Sequence, residues 1–137
     1  MNFALMSQEL IQDEGMRTKP YKDTRGFMTI GVGRNIDSKG ITEEEAKFML
    51  ANDIGEVVRG LDRVLPWWRD QDEARQRVLV NLGFNMGLSG LLQFTQTLAA
   101  FQRKDYKAAG KGLRDSLWYT QVGQRGPRLV KVVEEGE

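Results

Sequence analysis

The stretch from Glu14 to Asn35, EGMRTKPYKDTRGFMTIGVGRN, limits the fold more than any other part of the chain. Before it, Phe3, Met6, Leu10 and Ile11 recur at helical spacing and predict an amphipathic helix over 2–13, which Gly15 ends. Within it, that period gives way to alternation and turn formers, Asp23-Thr24-Arg25-Gly26 and the pair Gly31 and Gly33. Residues 17–36 therefore predict a small antiparallel sheet, with Tyr21 facing 27–30 across the turn. After it, the helical period returns. Thr42 and Glu45 form a capping box, and Ala46, Met49, Leu50, Ile54, Val57, Val58, Leu61 and Val64 share one broad face as far as Pro66. The expected fold class is α+β. A small antiparallel sheet lobe (about 15–40) is joined by a long helix (about 42–64) to a mainly helical lobe (about 70–133) that also takes the N-terminal helix. A chain of 137 residues makes this one domain.

In the second lobe, Asp70 and Glu73 predict a capped helix running to about Met86, with Val78, Leu79 and Leu82 inward and a break at 87–90. Short helices are expected over 90–94, 96–103, 105–114, 116–122 and 125–133. Leu91, Phe94, Leu98, Phe101, Leu113, Trp118, Leu129 and Val130 are the expected core, and 134–137 are expected to fray. Trp67 and Trp68 after Pro66 read either as partly buried core or as a stacking surface for sugar rings.

Composition removes whole classes of chemistry. The chain has no cysteine and no histidine, which excludes disulfides, thiolate metal sites and histidine-activated nucleophiles. Neither a metal site nor a cofactor motif is expected. Hydrolytic chemistry must then run on carboxylates, hydroxyls and water. Glu14 and Asp23, nine residues apart, with Thr29 six further on, are the candidate group. Glycoside hydrolysis needs such a pair of carboxyls, one protonating the leaving oxygen and the other steadying a water or the developing cation. Each residue also has an ordinary reading: a helix-end glutamate, a turn-opening aspartate, a β-forming threonine. The net charge of +1 hides Arg17, Lys19, Lys22, Arg25, Arg34 and Lys39 against Asp23 and Asp37 within 16–40. That lobe reads either as a solvated face or as a surface for an anionic polymer. No sustained basic stripe favours nucleic acid. No apolar run has the ~18–20 residues of a membrane span, so no stable membrane association is expected. The first fifteen residues lack signal-peptide features, so the cytoplasm is the expected location.

The order of these residues resembles a known family. Leu10-Ile11-x-x-Glu14-Gly15, Pro20-Tyr21-x-Asp23 and Gly26-x-x-Thr29-Ile30-Gly31-x-Gly33 are similar to the active-site signature of the bacteriophage lysozymes, or endolysins, glycoside hydrolase family 24. Asp53-Ile54 with Val57-Val58-Arg59-Gly60, then 80–87, Phe94-Thr95-Gln96-Thr97-Leu98 and Ser116-x-Trp118-Tyr119-x-Gln121, continue the likeness along most of the chain. The resemblance implies a muramidase that cleaves the β-1,4 bond between N-acetylmuramic acid and N-acetylglucosamine of peptidoglycan by inversion. Glu14 would be the general acid, and Asp23 and Thr29 would hold charge and water. It further implies Arg125 reaching Glu14 or Asp13, and Asn85, Gln96 and Gln121 at the substrate cleft. A monomer is expected, with a holin-type pore releasing the enzyme to the wall or periplasm. Arg34 departs from the family, which usually has histidine there, and is expected to pair with Asp53. A lytic transglycosylase and a catalytically silent wall-binding module are the competing readings.

Overall fold

A computed structural model describes all 137 residues. It is mostly helical with one small sheet, and it divides into two compact units, Met1–Phe48 and Met49–Glu137.

The first unit opens with α1 (Phe3–Glu14), capped by the Asn2 side chain accepting from Leu5 N–H and closed by Gly15, whose N–H bonds Ile11 C=O at 2.8 Å. Glu14 is the last helical residue. No side chain of α1 is buried, and Phe3 is 77% exposed, so the apolar face expected from the sequence does not form core there. A three-stranded antiparallel sheet follows in the order β1 (Arg17–Lys22), β2 (Met28–Gly31), β3 (Arg34–Asn35). The register slips between Arg17↔Gly31 and Tyr21↔Thr29, so four steps on β1 oppose two on β2. Pro20, which has no N–H to give to a ladder, lies in this irregular part of an edge strand, where proline is tolerated. Thr29 pairs with Tyr21 on one side and Asn35 on the other, and is the one buried residue of this unit.

Helix α2 (Glu43–Val64) begins at the expected capping box. Glu45 N–H donates to Thr42 Oγ1 at 3.1 Å, and Thr42 N–H donates to Glu45 Oε1 at 2.8 Å. Pro66 stops it and opens a 3-10 turn, Pro66–Asp70. Trp68 is 3% exposed, and its indole N–H bonds Asp62 Oδ1 at 2.7 Å. Burial settles Trp68 as core. Arg69 adds two bonds to Asp62, and these with the indole hold the Asp62 carboxyl down at about 2.

The second unit contains α3 (Glu73–Leu92), α4 (Thr95–Gln102), α5 (Tyr106–Arg114), α6 (Leu117–Gln121) and α7 (Arg125–Glu135). Its core includes Leu61, Leu79, Leu82, Leu91, Phe101, Leu113 and Val133, each at most 1% exposed. Three boundaries differ from the sequence expectation. The cap of α3 is Asp72, accepting from Arg75 N–H, and not Asp70, because Gln71 is extended and buried between them. Gly87, at φ +77°, breaks α3 where a break was expected, and the short helical segment after it ends at Leu92 and not at 94. The last helix runs two residues further than 133: α7 continues to Glu135, and Glu134 pairs with Arg114. Gln71 donates to Phe101 C=O at 2.9 Å and accepts from Tyr106 O–H at 2.8 Å; the Arg75 guanidinium lies 3.9 Å from the Tyr106 ring centroid and bonds Val133 C=O.

Candidate active site

The first unit carries Glu14, Asp23 and Thr29 on consecutive elements. Asp23 follows β1 and opens a tight hairpin turn. Gly26 N–H bonds Asp23 C=O at 3.0 Å, and Gly26 takes φ +85°, the left-handed residue that a three-residue hairpin loop calls for. The Asp23 side chain closes the same loop, its Oδ1 accepting from Arg25 N–H at 2.8 Å and Phe27 N–H at 2.9 Å. The hydrogen bonds therefore fix one carboxylate oxygen and leave Oδ2 uncommitted. The turn-former reading of Asp23 is correct, and it leaves half of the group for chemistry.

Thr29 stands mid-sheet, 3% exposed, with its hydroxyl donating to Phe27 C=O at 3.0 Å. Since that proton is spent, the oxygen has lone pairs to offer as an acceptor. Glu14 ends α1 with no hydrogen bond to its carboxylate, and the group lies against Gly33 in the β2–β3 loop. One strand, β2, thus links the Asp23 turn at its start to the Gly33 loop at its end, with Thr29 between.

Arg34 does not follow expectation. It bonds Glu45 Oε1 at 2.6 Å and Gly40 C=O at 3.4 Å, so its acidic partner is Glu45 where the sequence pointed to Asp53. The reason is the capping box, which folds Glu45 back toward the start of α2, into reach of the β3 exit. Arg34 first, then the Thr42 bonds, bring the Glu45 carboxyl down to about 2. Asp53 is exposed on α2 and makes no ion pair.

Ion pairing in the sheet unit is uneven. Asp23 and Asp37, its acids between 16 and 40, are occupied by backbone N–H groups, with Asp37 accepting from Met28 N–H at 2.8 Å. Arg17 stacks 4.5 Å from the Tyr21 ring centroid, while Lys19, Lys22, Arg25 and Lys39 pair with no carboxylate. Two of these unpaired cations, Lys22 and Arg25, flank Asp23 in sequence.

The second unit carries the other candidates. Asn85 Oδ1 accepts from the Trp118 indole N–H at 2.8 Å, one helical turn before Gln121 on α6, so Asn85 and Gln121 fall in one neighbourhood. Gln96 is exposed in the first turn of α4 and hydrogen-bonds to neither. Arg125 opens α7 and lines a pocket of about 570 Å³ with Asn81, Phe84 and Arg128. The sequence had not singled out Glu45 as an anchor for Arg34, nor Asn85 as a brace for Trp118.

Comparison with known proteins bears on this arrangement. The model of the phage lysozyme family matches residues 11–133. The chain belongs to that family. Among its relatives it is 31% identical to the pre-baseplate central spike protein Gp5 of Enterobacteria phage T4, over 96% of this chain and 28% of the spike protein. It is 26% identical to probable T4-type lysozyme 1 of Dictyostelium discoideum, covering 90% of both, and 32% identical to an endolysin of Bacillus phage B103, over 98% of this chain and 52% of that one. It thus spans nearly all of one relative but about a quarter and a half of the other two.

Proposed function

We propose that the chain is a peptidoglycan hydrolase, a muramidase cutting the β-1,4 bond between N-acetylmuramic acid and N-acetylglucosamine with inversion. Family membership and similarity to proteins named lysozyme and endolysin support the reaction class. The observation that carries the reading is the division of labour in Asp23, whose Oδ1 builds the turn while Oδ2 stays open. In this reading Glu14 protonates the glycosidic oxygen, Asp23 Oδ2 takes the proton of the attacking water and faces the developing positive charge, and Thr29 accepts a hydrogen bond from that water. Inversion calls for carboxyls roughly 6.5–9.5 Å apart in the working enzyme. The uncompensated cations of the sheet favour an anionic wall polymer. The setting we propose is host lysis by a monomer made in the host cytoplasm, reaching the wall or periplasm through a holin-type pore. Similarity to a segment of a spike protein favours a second setting, the same catalytic fold carried inside a larger phage protein.

The test is release of reducing ends from purified peptidoglycan by wild type and Glu14→Gln. A fall of ~10²-fold or more in the variant supports general acid catalysis by Glu14. Full activity of Glu14→Gln would refute it. Solubilised wall with anhydro ends in place of new reducing ends would point to a transglycosylase.

A further inference from the structure

Glu14 has no hydrogen bond to hold its carboxylate, yet a catalytic acid must be placed to within a fraction of an ångström. What it does have is a steric boundary. A β-carbon at position 33 would stand 2.9 Å from Glu14 Oε2, 3.1 Å from Cδ and 3.3 Å from Cγ, three successive atoms of the one side chain. At 2.9 Å a methyl and a carboxylate oxygen overlap, so one of them has to move. The mobile partner is the end of a glutamate side chain and not a strand, so the collision would displace the carboxylate while the sheet stays in place.

We infer that Gly33 is a positioning residue for the reaction: its bare backbone is the seat that sets where the Glu14 carboxylate lies. For the catalytic consequence this rests on the hydrolase reading above; the seat itself does not. Gly33 also has φ +66°, which by itself favours glycine, and the two causes must be separated. The molecule supplies the control. Gly31, two residues earlier in the same hairpin, has φ +71°, yet a β-carbon there meets nothing within 4 Å. Gly31→Ala likewise places a side chain at positive φ, without the contact.

The experiment compares Gly33→Ala, Gly33→Asn and Gly31→Ala with wild type. Asparagine tolerates positive φ, so Gly33→Asn introduces the β-carbon with less strain should the alanine variant fold poorly. Two quantities are read: the steady-state constants for soluble peptidoglycan fragments, and the ¹³C resonance of the Glu14 side-chain carboxyl. Both Gly33 variants should lower kcat by ~10-fold or more with KM within about twofold, the pattern of a misplaced catalytic group. Both should shift the Glu14 resonance, and Gly31→Ala should do neither. Equal behaviour of Gly33→Ala and Gly31→Ala, in rate and resonance, would overturn the inference and leave backbone strain as the whole reason for glycine. If wild type itself releases no reducing ends, the hydrolase reading fails. The resonance then decides the seat alone: a shift confined to the Gly33 variants upholds it, and an unmoved resonance removes it.

Discussion

In the proposed mechanism Asp23 does two jobs with two oxygens, and single substitutions should pull them apart. Asp23→Asn keeps a carbonyl oxygen at the Oδ1 position, still able to accept from Arg25 and Phe27 N–H, but removes the charge. Asp23→Ala removes both. Two backbone N–H groups lose their acceptor in the alanine variant, at distances of 2.8 and 2.9 Å. At about 0.5–1.5 kcal/mol net for each bond, and with the freed amides at an exposed turn able to turn to water, the hairpin should lose roughly 1–3 kcal/mol. The asparagine variant should lose well under about 1 kcal/mol, since only the charge-assisted part of each bond goes. Amide exchange of Arg25 and Phe27 reads the turn directly. Reducing-end release reads the chemistry. Expected is an activity loss of ~10²-fold in both variants, from the missing negative charge, with turn protection lost only in alanine. If the asparagine variant loses protection as fully as the alanine variant, the carboxamide is not replacing Oδ1 and the turn argument is wrong. If it keeps wild-type activity, the free Oδ2 does no catalytic work.

Further outcomes follow from the same geometry. Glu45, with its carboxyl held at about 2 by Arg34 and Thr42, has a lower pKa folded than unfolded. It therefore adds stability above about pH 4.5 that fades as pH falls toward 2. Glu45→Gln should abolish that acid-limb loss, and a denaturation series between pH 5 and pH 2 that is identical for both proteins would contradict the Arg34 link. Asn85→Ala leaves the Trp118 indole N–H, on a side chain only 8% exposed, without its acceptor, which should cost about 1–3 kcal/mol in chemical denaturation. Asn85→Asp, which keeps an acceptor, should recover most of that; equal losses in both would show that the brace contributes nothing.

Much of the fold could be read from residues whose physics is local. Gly15, the Asp23–Gly26 turn, the Thr42–Glu45 box and Pro66 each act within four residues of themselves, and the bounds of α1, the sheet and α2 follow from them. The same locality brought Glu14, Asp23 and Thr29 onto neighbouring elements. What sequence did not reveal depends on contacts distant in the chain. Asp70 and Asp72 are equally good caps by type, and the choice falls to Gln71, buried because Phe101 and Tyr106, 30 and 35 residues on, hold its amide. Glu45 was already fully explained as a capping residue, so nothing marked its Oε1 as accepting from Arg34 as well. The approach of Gly33 to Glu14 is likewise a fact of three dimensions, with a Gly-x-Gly pattern its only trace.

The sheet unit has one buried residue, Thr29, in 48, far too little apolar burial to fix a backbone unaided. Polar closures add to the strand ladders in holding it: Asp23 on two amides, Asp37 on Met28 N–H, Asn35 on Ser38 N–H, and Arg34 on Glu45. Its acids between 16 and 40 accept from backbone N–H groups and not from cations, which leaves Lys19, Lys22, Arg25 and Lys39 without an ion-pair partner. The electrostatics of the proposed substrate face are then a by-product of how the unit folds. An Asp37→Asn change makes the link explicit: the Met28 contact can survive through the carboxamide oxygen, while the positive field over the sheet strengthens by one charge. A small core, turn-closing carboxylates and cations left without ion pairs are three aspects of one solution, in which Asp23 is the group that folding and the proposed chemistry share.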